Sequence, residues 1–498
     1  MKLLTSLAIL VGVACAQTGK CPSYTRYSAL PHGPYSTGPQ KIPSMRPPVS
    51  CRTFRNPTIE RAIRDVSSAI RDPDWRQLFA NIFPNTLDTT VAWHNASAPF
   101  TFLVTGDITA QWIRDSANQV LPYLPYTSAD QALAKLVLGL INMQAEELND
   151  YPFGNAFQPP PRSGLAPEAN GIAVNLAVSP PFNNRTVFEA KFELDSFASF
   201  FQVTTAYWRS TGDYEFIYSP AWSAAAGKVL DAIRALQMPT YAGKQLNPSP
   251  VTYKRYTDQA QETQFGGGRG NPVKYTGMAR SLFRPSDDAT IFPFLVPANA
   301  FLCVELENLG DMLNTLRVFP ELRDRAAKLA AQIRAGVLQF GTATHPKHGK
   351  VFAYEVDGYG SVLLTDDANG PSLLSLPYLG FVNATDPTYR NTRKMVLSLD
   401  DNPWYFEGPY IHGIGGPHTG YLKVWPMAVA MRGMTSDNSD EVKECLDQLK
   451  ATTSGLGLIH ESVNVNDGAD YTRSWFAWGN ALTSQFVIDA ITRFPGII

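Results

Sequence analysis

The spacing of apolar residues along the chain predicts a mostly helical protein. Apolar positions recur at intervals of three and four residues, the period that places side chains on one face of a helix. The clearest stripes are Ile59, Ala62, Ile63, Val66 and Ile70; Leu133, Leu136, Val137, Leu140 and Ile141; and Ala326, Leu329, Ala330, Ile333 and Val337. Weaker patterns predict helices near residues 74–82, 110–120, 191–209, 219–236, 286–310, 371–379, 385–399, 419–433, 439–451 and 474–493.

About a dozen helices without a repeat of fixed short period favour a helical toroid of paired helices over a solenoid. Strand signal is sparse, and only the alternating stretch 350–362, with Asp357-Gly358 inside it, predicts a β-hairpin. Residues 17–56 hold many prolines and no periodic pattern, so we expect an irregular arm there and a single catalytic domain over 57–498. In such a barrel, polar motifs are expected in the loops that gather around a central pocket.

Composition narrows the function. The chain has 498 residues, of which 44% are hydrophobic and 17% charged, so it can bury a large core. Its net charge of −2 argues against binding to nucleic acid or to an acidic membrane surface. After residue 16, no apolar run is long and uncharged enough to span a bilayer. We expect a monomer with no nucleic-acid partner and, once its leader is removed, no membrane attachment.

The N-terminus has the features of a secretory signal peptide. Residues 1–16 contain one lysine, an apolar run and Ala14-Cys15-Ala16 as a small-x-small cleavage site. The alternative is a bacterial lipoprotein signal around Cys15. Glycosylation sequons favour a eukaryotic secretory protein, so we expect the mature chain to be secreted. They lie at Asn95, Asn184 and Asn383.

Removal of the leader leaves four cysteines. Cys21 and Cys51 flank the proline-rich arm and are expected to form a disulfide in an oxidising compartment. Cys303 lies in an apolar run and Cys445 on a helix face, so they could be buried free thiols or a second disulfide. The sequence has no CxxC, HExxH or Cys/His cluster, which argues against a zinc site.

Polar and aromatic residues crowd into one segment, Gly106–Gln119, between two apolar runs. Arg114, Asp115 and Asp107 offer hydrogen-bonding groups to a hydroxyl-rich ligand, and Trp112 offers a face on which a sugar ring can stack. The alternative is a buried Arg–Asp pair that ties two helices together. Similar mixtures of polar and aromatic groups supply further candidates, namely Asn155, Asp195, His412, His418, Arg473 and Trp478. For the two histidines we favour hydroxyl contacts or loop bracing over metal binding.

Glycosidic bond cleavage needs one protonated carboxyl and one ionised carboxylate. Asp287 and Asp288 follow Ser286, which we expect to cap the next helix, where the dipole favours the ionised form. Mutual repulsion and desolvation act the other way and can keep one of the two protonated. Glu461, which follows a Gly-rich turn, suits a carboxylate that activates water. The alternatives are two aspartates that only cap a helix, and a surface acid at Glu461.

Six segments, in order, resemble glycoside hydrolase family 125. They read GDITAQWIRDSANQVLPYL, FGNAFQ, FELDS, FRPSDDA, GIGGPHT and HES…TRSWFAWGN, and are spread over about residues 100–480. That family comprises metal-independent, exo-acting α-1,6-mannosidases built on an (α/α)6 barrel. The resemblance therefore implies this fold, a mannose-containing glycan as substrate, and no metal or organic cofactor. It also implies inversion of configuration with an aspartate general acid and a glutamate general base.

Carried onto this sequence, the resemblance assigns the acid to Asp287 or Asp288, with Asp287 favoured, and the base to Glu461. The residues expected to hold the terminal mannose are Arg114, Asp115, Asn155, Asp195, His418 and Arg473. Gly416 stands where a serine is expected, which puts one contact in question. An inverting pair must admit a water, so the two carboxyls should lie about 6.5–9.5 Å apart. The alternatives are an inverting (α/α)6 glycosidase that acts on α-glucosides, and a carbohydrate-binding protein without catalytic activity.

Overall fold

The computed structural model describes residues 21–498, so the expected signal peptide lies outside the described residues. Twelve α-helices of the described part have eight residues or more. They are Pro57–Ala69, Pro73–Ile82, Ile113–Val120, Gln131–Asp150, Leu194–Thr211, Pro220–Leu236, Val296–Leu316, Pro320–Phe340, Pro387–Val396, Pro426–Met434, Ser439–Ala451 and Ala477–Arg493. Shorter helices are Tyr24–Tyr27, Asn85–Thr89 and Phe265–Gly268. The prediction of a mostly helical protein is confirmed.

Five of these helices contact one another in an inner ring. The Leu194–Thr211 helix lies between the Ile113–Val120 and Val296–Leu316 helices. The Ala477–Arg493 helix contacts both the Pro426–Met434 helix and the Ile113–Val120 helix. Longer amphipathic helices pack outside this ring, for example Gln131–Asp150 against Leu194–Thr211. The chain therefore forms a helical toroid with a central space.

The remaining part of the inner ring is a series of turns at residues 371–380, where a helix over 371–379 was predicted. That prediction is wrong. The buried carboxylate of Asp366 accepts two backbone N–H groups of this segment, at 2.8 and 2.9 Å, and Pro377 has no N–H to donate. The hydroxyl of Tyr378 donates to Gln485 of the last helix at 3.3 Å, which ties the turns into the ring.

The helix starts differ between the inner ring and the rest of the molecule. Six of the other seven long helices begin at a side chain that accepts their first free N–H groups. These caps are Asn56, Asp72, Asp130, Ser219, Asp386 and Asn438. The five inner helices have no such cap, and their preceding residues are Trp112, Glu193, Leu295, Trp425 and Phe476. Three of these, Trp112, Trp425 and Phe476, line the central cavity, so inner-helix N-termini converge on it.

Within residues 21–498, nineteen short strands form small antiparallel sheets in the connections. The two-stranded ones pair Val91–Asn95 with Phe100–Leu103, Leu176–Ser179 with Thr252–Arg255, Tyr241–Ala242 with Gln245–Leu246, Thr342–His345 with Gly349–Phe352, and Tyr405–Glu407 with His412–Ile414. The three-stranded ones join Gln111–Trp112, Ala156–Phe157 and Val187–Glu189; Phe294–Leu295, Glu355–Val356 and Val362–Leu363; and Lys423–Val424, Ser462–Asn464 and Asp467–Thr472. The stretch 350–362 contains a hairpin, as predicted, in which Glu355–Val356 pairs with Val362–Leu363. The first part of the stretch belongs to the strand Gly349–Phe352, which pairs with Thr342–His345 instead.

The N-terminal arm packs on the helical body. The predicted disulfide between Cys21 and Cys51 is confirmed, with their Cα atoms 5.4 Å apart. Ile42 and Met45 of the arm are buried. The ring of Tyr24 meets the edge of Trp475 at 4.7 Å between centroids, so the arm supports a residue of the central cavity. The division into an arm and one catalytic domain stays a prediction.

One buried apolar cluster extends from Ile42 to Ile498 and includes residues of every long helix. Cys303 and Cys445 are both buried free thiols, which decides the question that their spacing left open. Among the helices described here, none has the length and apolar character needed to cross a membrane.

Candidate active site

A cavity of about 270 Å³ lies at the N-terminal ends of the inner helices. Nine of the residues predicted from sequence line it: Asp107, Trp112, Arg114, Asp115, Asp287, His418, Glu461, Arg473 and Trp478. Four predicted residues do not, namely Asn155, Asp195, Asp288 and His412. Acids, cations and indole rings therefore share one small cavity.

Arg114 is the centre of a buried charge cluster on one wall. Arg114 is the second residue of the inner helix Ile113–Val120. Its guanidinium lies 2.5 Å from Glu193, 3.3 Å from Asp195 and 3.1 Å from Asp115. Its Cζ atom lies 5.3 Å from the ring centroid of Trp478. Asp195 thus fixes Arg114 from behind instead of reaching the cavity, while Arg114 and Asp115 face it.

Three carboxyls around one guanidinium leave an excess of negative charge in a desolvated place. Burial raises the pKa of Glu193 well above its usual range and also raises the pKa of Asp195, although Arg114 opposes both shifts. Burial raises the pKa of Asp115 to about 6, again against the effect of Arg114. Glu193 on this wall therefore keeps a proton near neutral pH.

Asp287 occupies a turn and not a helix start. The next helix begins at Val296, so the expectation that Ser286 caps a helix at the aspartate pair is wrong. The Ser286 hydroxyl instead donates to Asp367 at 2.6 Å. Asp287 has a φ of 66°, in the left-handed region, and its N–H donates to the carbonyl of Arg284 at 2.9 Å. This turn directs the Asp287 carboxyl into the cavity.

The surroundings of Asp287 favour its ionised form. Burial raises its pKa, but Lys191, His418 and a hydrogen bond with Glu193 outweigh that effect, and the pKa is lowered overall. The pKa is raised for Glu193 and lowered for Asp287, so a proton shared by the two carboxyls is favoured on Glu193. Asn155 lies behind this pair and donates to Asp287 at 3.3 Å, so it positions the carboxyl without lining the cavity.

Asp288 faces the other way. It lines a second cavity of about 540 Å³ on the far side of the same turn, and one of its oxygens is buried without a hydrogen-bond partner among the described residues. Burial raises the pKa of Asp288 to about 7. The sequence left both aspartates open as the acid, and the turn separates them, because only Asp287 meets the central cavity.

Glu461 and Arg473 reach the cavity from adjacent strands. Ser462 and Thr472 are directly paired, so the residues just outside this pair, Glu461 and Arg473, lie side by side. The Nε of Arg473 donates to Glu461 at 3.3 Å, and its Nη1 donates to Asp107. Arg473 has a φ of 56°. The arginine thus orients the carboxylate of Glu461 and joins it to the Gly106–Gln119 segment.

The two predicted histidines have different positions. His418 lines the cavity; burial lowers its pKa, but Asp287 and Glu461 reverse that effect and leave the pKa raised. His412 lies outside the cavity, where its ring contacts Arg432 at 2.8 Å and Glu444 at 2.8 Å. Its prediction as a substrate contact is therefore not supported by its position, since its neighbours form an outer ion-pair network.

Several cavity residues were missed in the sequence. They are Ile108, Phe188, Glu189, Lys191, Glu262, Asn369, Trp425 and Phe476. Lys191 is fully buried and lies 3.2 Å from Glu262, a contact between distant segments that no spacing indicates. Glu193 could have been found, because it stands two residues before Asp195 at a helix start. A Cβ at Gly416 would come within 3.0 Å of the Asp367 carboxylate, which accounts for glycine where serine was expected.

The described residues contain one His/Asp group with the spacing of a metal site, His345, His348 and Asp401, and none of it lines the central cavity. The Nδ1 of His345 accepts N–H groups at 3.2 and 3.3 Å, so its Nε2 carries the proton in the neutral ring. Lys347 lies 3.0 Å from Asp401. These contacts suit a charge network better than a metal ligand set.

Comparison with known proteins identifies this arrangement. Residues 72–488 match the family described as metal-independent alpha-mannosidase, glycoside hydrolase family 125. The chain belongs to glycoside hydrolase family 125. It is thus a glycosidase of an α-mannosidase family, and the resemblance seen in six sequence segments is confirmed.

Relatives extend the match over almost the whole chain. It is 46% identical over 502 residues to the meiotically up-regulated gene 157 protein of Schizosaccharomyces pombe, covering 99% of this chain and 98% of that protein. A Streptococcus pneumoniae metal-independent α-mannosidase, solved in a non-productive complex with α-1,6-mannobiose, is 31% identical with a TM-score of 0.81, covering 88% of this chain and 99% of that one. A solved glycosidase that is 14% identical has a TM-score of 0.50 and shares the fold alone, covering 89% and 100%. The (α/α)6 barrel is confirmed.

Proposed function

We propose that this family 125 glycosidase is an exo-acting α-mannosidase that removes terminal α-1,6-linked mannose with inversion of configuration. The observation that carries the proposal is that Asp287 and Glu461 line the same small cavity together with Arg114 and Arg473. One carboxyl must protonate the leaving oxygen and the other must deprotonate water. A cavity of about 270 Å³ suits one terminal sugar residue, which favours exo action.

Asp287 is the proposed general acid, with Glu193 as the group that supplies its proton. The shared proton is favoured on Glu193, because burial raises its pKa while Lys191 and His418 lower the pKa of Asp287. A neutral sugar that displaces water from around Asp287 increases desolvation and so moves the proton toward it. The two carboxyls then act as a pair that holds one proton next to the glycosidic oxygen.

Glu461 is the proposed general base. Its carboxylate is held by Arg473, whose second contact with Asp107 fixes the guanidinium in turn. A carboxylate oriented at the cavity wall can accept a proton from a water molecule that attacks the anomeric carbon.

The proposed sugar contacts come from the rest of the lining. Arg114 and Asp115 present hydrogen-bonding groups, and Trp112 and Trp478 present ring faces that suit the apolar face of a hexose. His418 with its raised pKa adds a cationic donor. The α-1,6 linkage rests on the Streptococcus pneumoniae relative, whose structure holds α-1,6-mannobiose.

We also propose that the protein is secreted. The leader at residues 1–16 and the Cys21–Cys51 disulfide support an oxidising destination. Two of the three sequon asparagines, Asn184 and Asn383, are exposed and can accept a glycan. Loss of secretion on deletion of residues 1–16, with intracellular protein still folded, would test this; secretion without the leader would contradict it.

The test of the activity is proton NMR of the sugar released from α-1,6-mannobiose by the wild type, Glu461→Gln and Asp287→Asn. We expect β-mannose to appear first with the wild type and both variants to be strongly impaired. Early α-mannose would show a retaining mechanism and refute the proposal. The absence of product from mannobiose, with turnover of an α-glucoside, would refute the sugar assignment.

A further inference from the structure

A cavity of about 470 Å³ lies between the Pro387–Val396 helix and the end of the Pro426–Met434 helix, and none of its lining residues lines the catalytic cavity. We name it the basic pocket. Its lining includes Arg390, Arg393, Lys394, Tyr405, Arg432 and Glu441. Four cationic side chains therefore share this pocket with one carboxylate.

Two of the four cations are neutralised by acids. The Nε of Arg432 donates to Glu441 at 2.8 Å, and its Nη2 donates to Glu444 at 2.7 Å. Arg393 donates to the same Glu441 at 3.0 Å. Two carboxylates thus balance two guanidinium groups, and this part of the pocket carries little net charge.

The other two cations have no partner within residues 21–498. Arg390 and Lys394 are exposed, and neither side chain forms an ion pair or hydrogen bond with any described residue. They lie four positions apart on one helix, so their charges are neighbours on the same face. Like charges at this spacing repel each other and destabilise a helix, and a bound anion between them would remove that repulsion.

The pocket also contains hydrogen-bond donors that are not used. The Nε of Arg393 is buried and has no partner among the described residues. Tyr405 is 6% exposed, its hydroxyl forms no hydrogen bond within the described part of the chain, and burial raises its pKa to about 12, so it keeps its proton as a donor. A donor without a protein acceptor can be satisfied by the oxygen of a bound ligand.

We propose that the basic pocket binds a phosphate group, either as inorganic phosphate or as a phosphate ester on a sugar. A phosphate carries a charge of about −1.5 to −2 near neutral pH and several strong acceptor oxygens. The two unpaired cations, Arg390 and Lys394, match that charge, and Arg393 with Tyr405 offers donors to the oxygens. Compensation of the helix dipole explains basic residues in the last turn, but it does not explain Arg390 or the unused donors.

Isothermal titration calorimetry with inorganic phosphate, at constant ionic strength held with sodium chloride, tests the proposal on the full-length chain. We expect one saturable site in the wild type. Arg390→Gln with Lys394→Gln should bind at least about tenfold more weakly, because two charge-assisted contacts are lost. The matched control is Arg61→Gln with Arg64→Gln, which removes two exposed charges from another helix and should bind like the wild type. Equal binding by both double variants, or no saturable binding by the wild type, would overturn the proposal.

A second variant and a second probe sharpen the result. Tyr405→Phe removes one hydroxyl and should weaken phosphate binding severalfold while the melting temperature stays near that of the wild type. Titration with mannose 6-phosphate distinguishes the two sources: tighter binding than inorganic phosphate indicates a phosphorylated sugar, and equal binding indicates the free ion. Hydrolysis of α-1,6-mannobiose should be equal in the wild type and the Arg390/Lys394 variant, so the phosphate site and the proposed activity are tested independently.

Discussion

The two walls of the catalytic cavity hold their carboxyls in different ways. On the Asp287 wall, formed by Asp287, Glu193 and Arg114, the Arg114 side chain is only 4% exposed and contacts three acids. On the Glu461 wall, formed by Glu461 and Arg473, the Arg473 side chain is 30% exposed and the two residues meet through paired strands. Burial and crowding raise the pKa of Glu193 and keep a proton on the first wall. On the second wall, the contact with Arg473 orients the carboxyl of Glu461. The difference assigns the acid and base roles in the proposed reaction.

The largest expected effect separates these two roles by leaving group. On α-1,6-mannobiose, Asp287→Asn and Glu461→Gln should each lower kcat/KM about 10³-fold, or about 4 kcal/mol. On 2,4-dinitrophenyl α-mannoside, whose leaving group needs no protonation, Asp287→Asn should recover most activity and Glu461→Gln should not. Steady-state kinetics on both substrates measures this difference.

The control for this comparison is Asp288→Asn, which changes the neighbouring carboxyl that faces the second cavity. We expect its kcat/KM on mannobiose to stay within about tenfold of the wild type, since it cannot reach the glycosidic oxygen. A larger loss for Asp288→Asn than for Asp287→Asn would transfer the acid role to Asp288 and contradict the assignment.

The second prediction concerns stability. Arg114→Met leaves three buried carboxyls without their cation and should lower the free energy of unfolding by about 3–5 kcal/mol. Arg473→Met removes a partly exposed arginine with two carboxylate partners and should cost less than about 1 kcal/mol. Urea unfolding at pH 7 measures both values. Equal losses would show that the two walls do not differ in burial as described.

The third prediction uses the Asp288 carboxyl. Its folded pKa is raised from 3.8 to about 7 by burial, so the folded chain holds a proton that the unfolded chain loses first. Its contribution to stability is therefore present below pH 4 and is lost as the pH rises toward 7. The free energy of unfolding of Asp288→Asn should therefore rise relative to that of the wild type, by at most about 1.4 kcal/mol per pH unit in this range. Urea unfolding between pH 4 and pH 8 measures the difference; a pH-independent difference would contradict it.

Sequence predicted the capped helices better than the inner ring. The Ser439–Ala451 helix was predicted to the residue, because Asn438 caps it and its apolar positions have the helical period. The Val296–Leu316 helix was predicted ten residues early, since the preceding turn is also apolar and the helix has no capping side chain. The turns at 371–380 were predicted as a helix because periodicity does not report that the distant Asp366 captures two of their N–H groups.

The residues of the candidate site also differ in how well the sequence predicts them. Arg114, Asp287 and Glu461 stand in compact motifs, so their positions could be predicted from local sequence and family resemblance. Asp287 and Asp288 face different cavities because the backbone turns at Asp287 with a positive φ. The adjacent residues in the sequence do not specify this turn. His412 was grouped with the cavity because it is only six residues from His418, yet it begins the strand His412–Ile414 and its ring contacts Arg432 and Glu444 outside the cavity.

The smallest expected effect concerns Glu193, which the sequence did not identify. Glu193→Gln removes the carboxyl that holds the shared proton but keeps a neutral group in the same volume, so kcat should fall about tenfold. Asp287 alone must then keep the proton, and its pKa is lowered by Lys191 and His418, so the alkaline limb of the kcat/KM profile should move to lower pH. The control is Asp195→Asn, which also contacts Arg114 but should leave that limb in place. If both variants leave the limb where it is in the wild type, Glu193 only braces Arg114, and the proton on the Asp287 wall belongs to Asp287 itself.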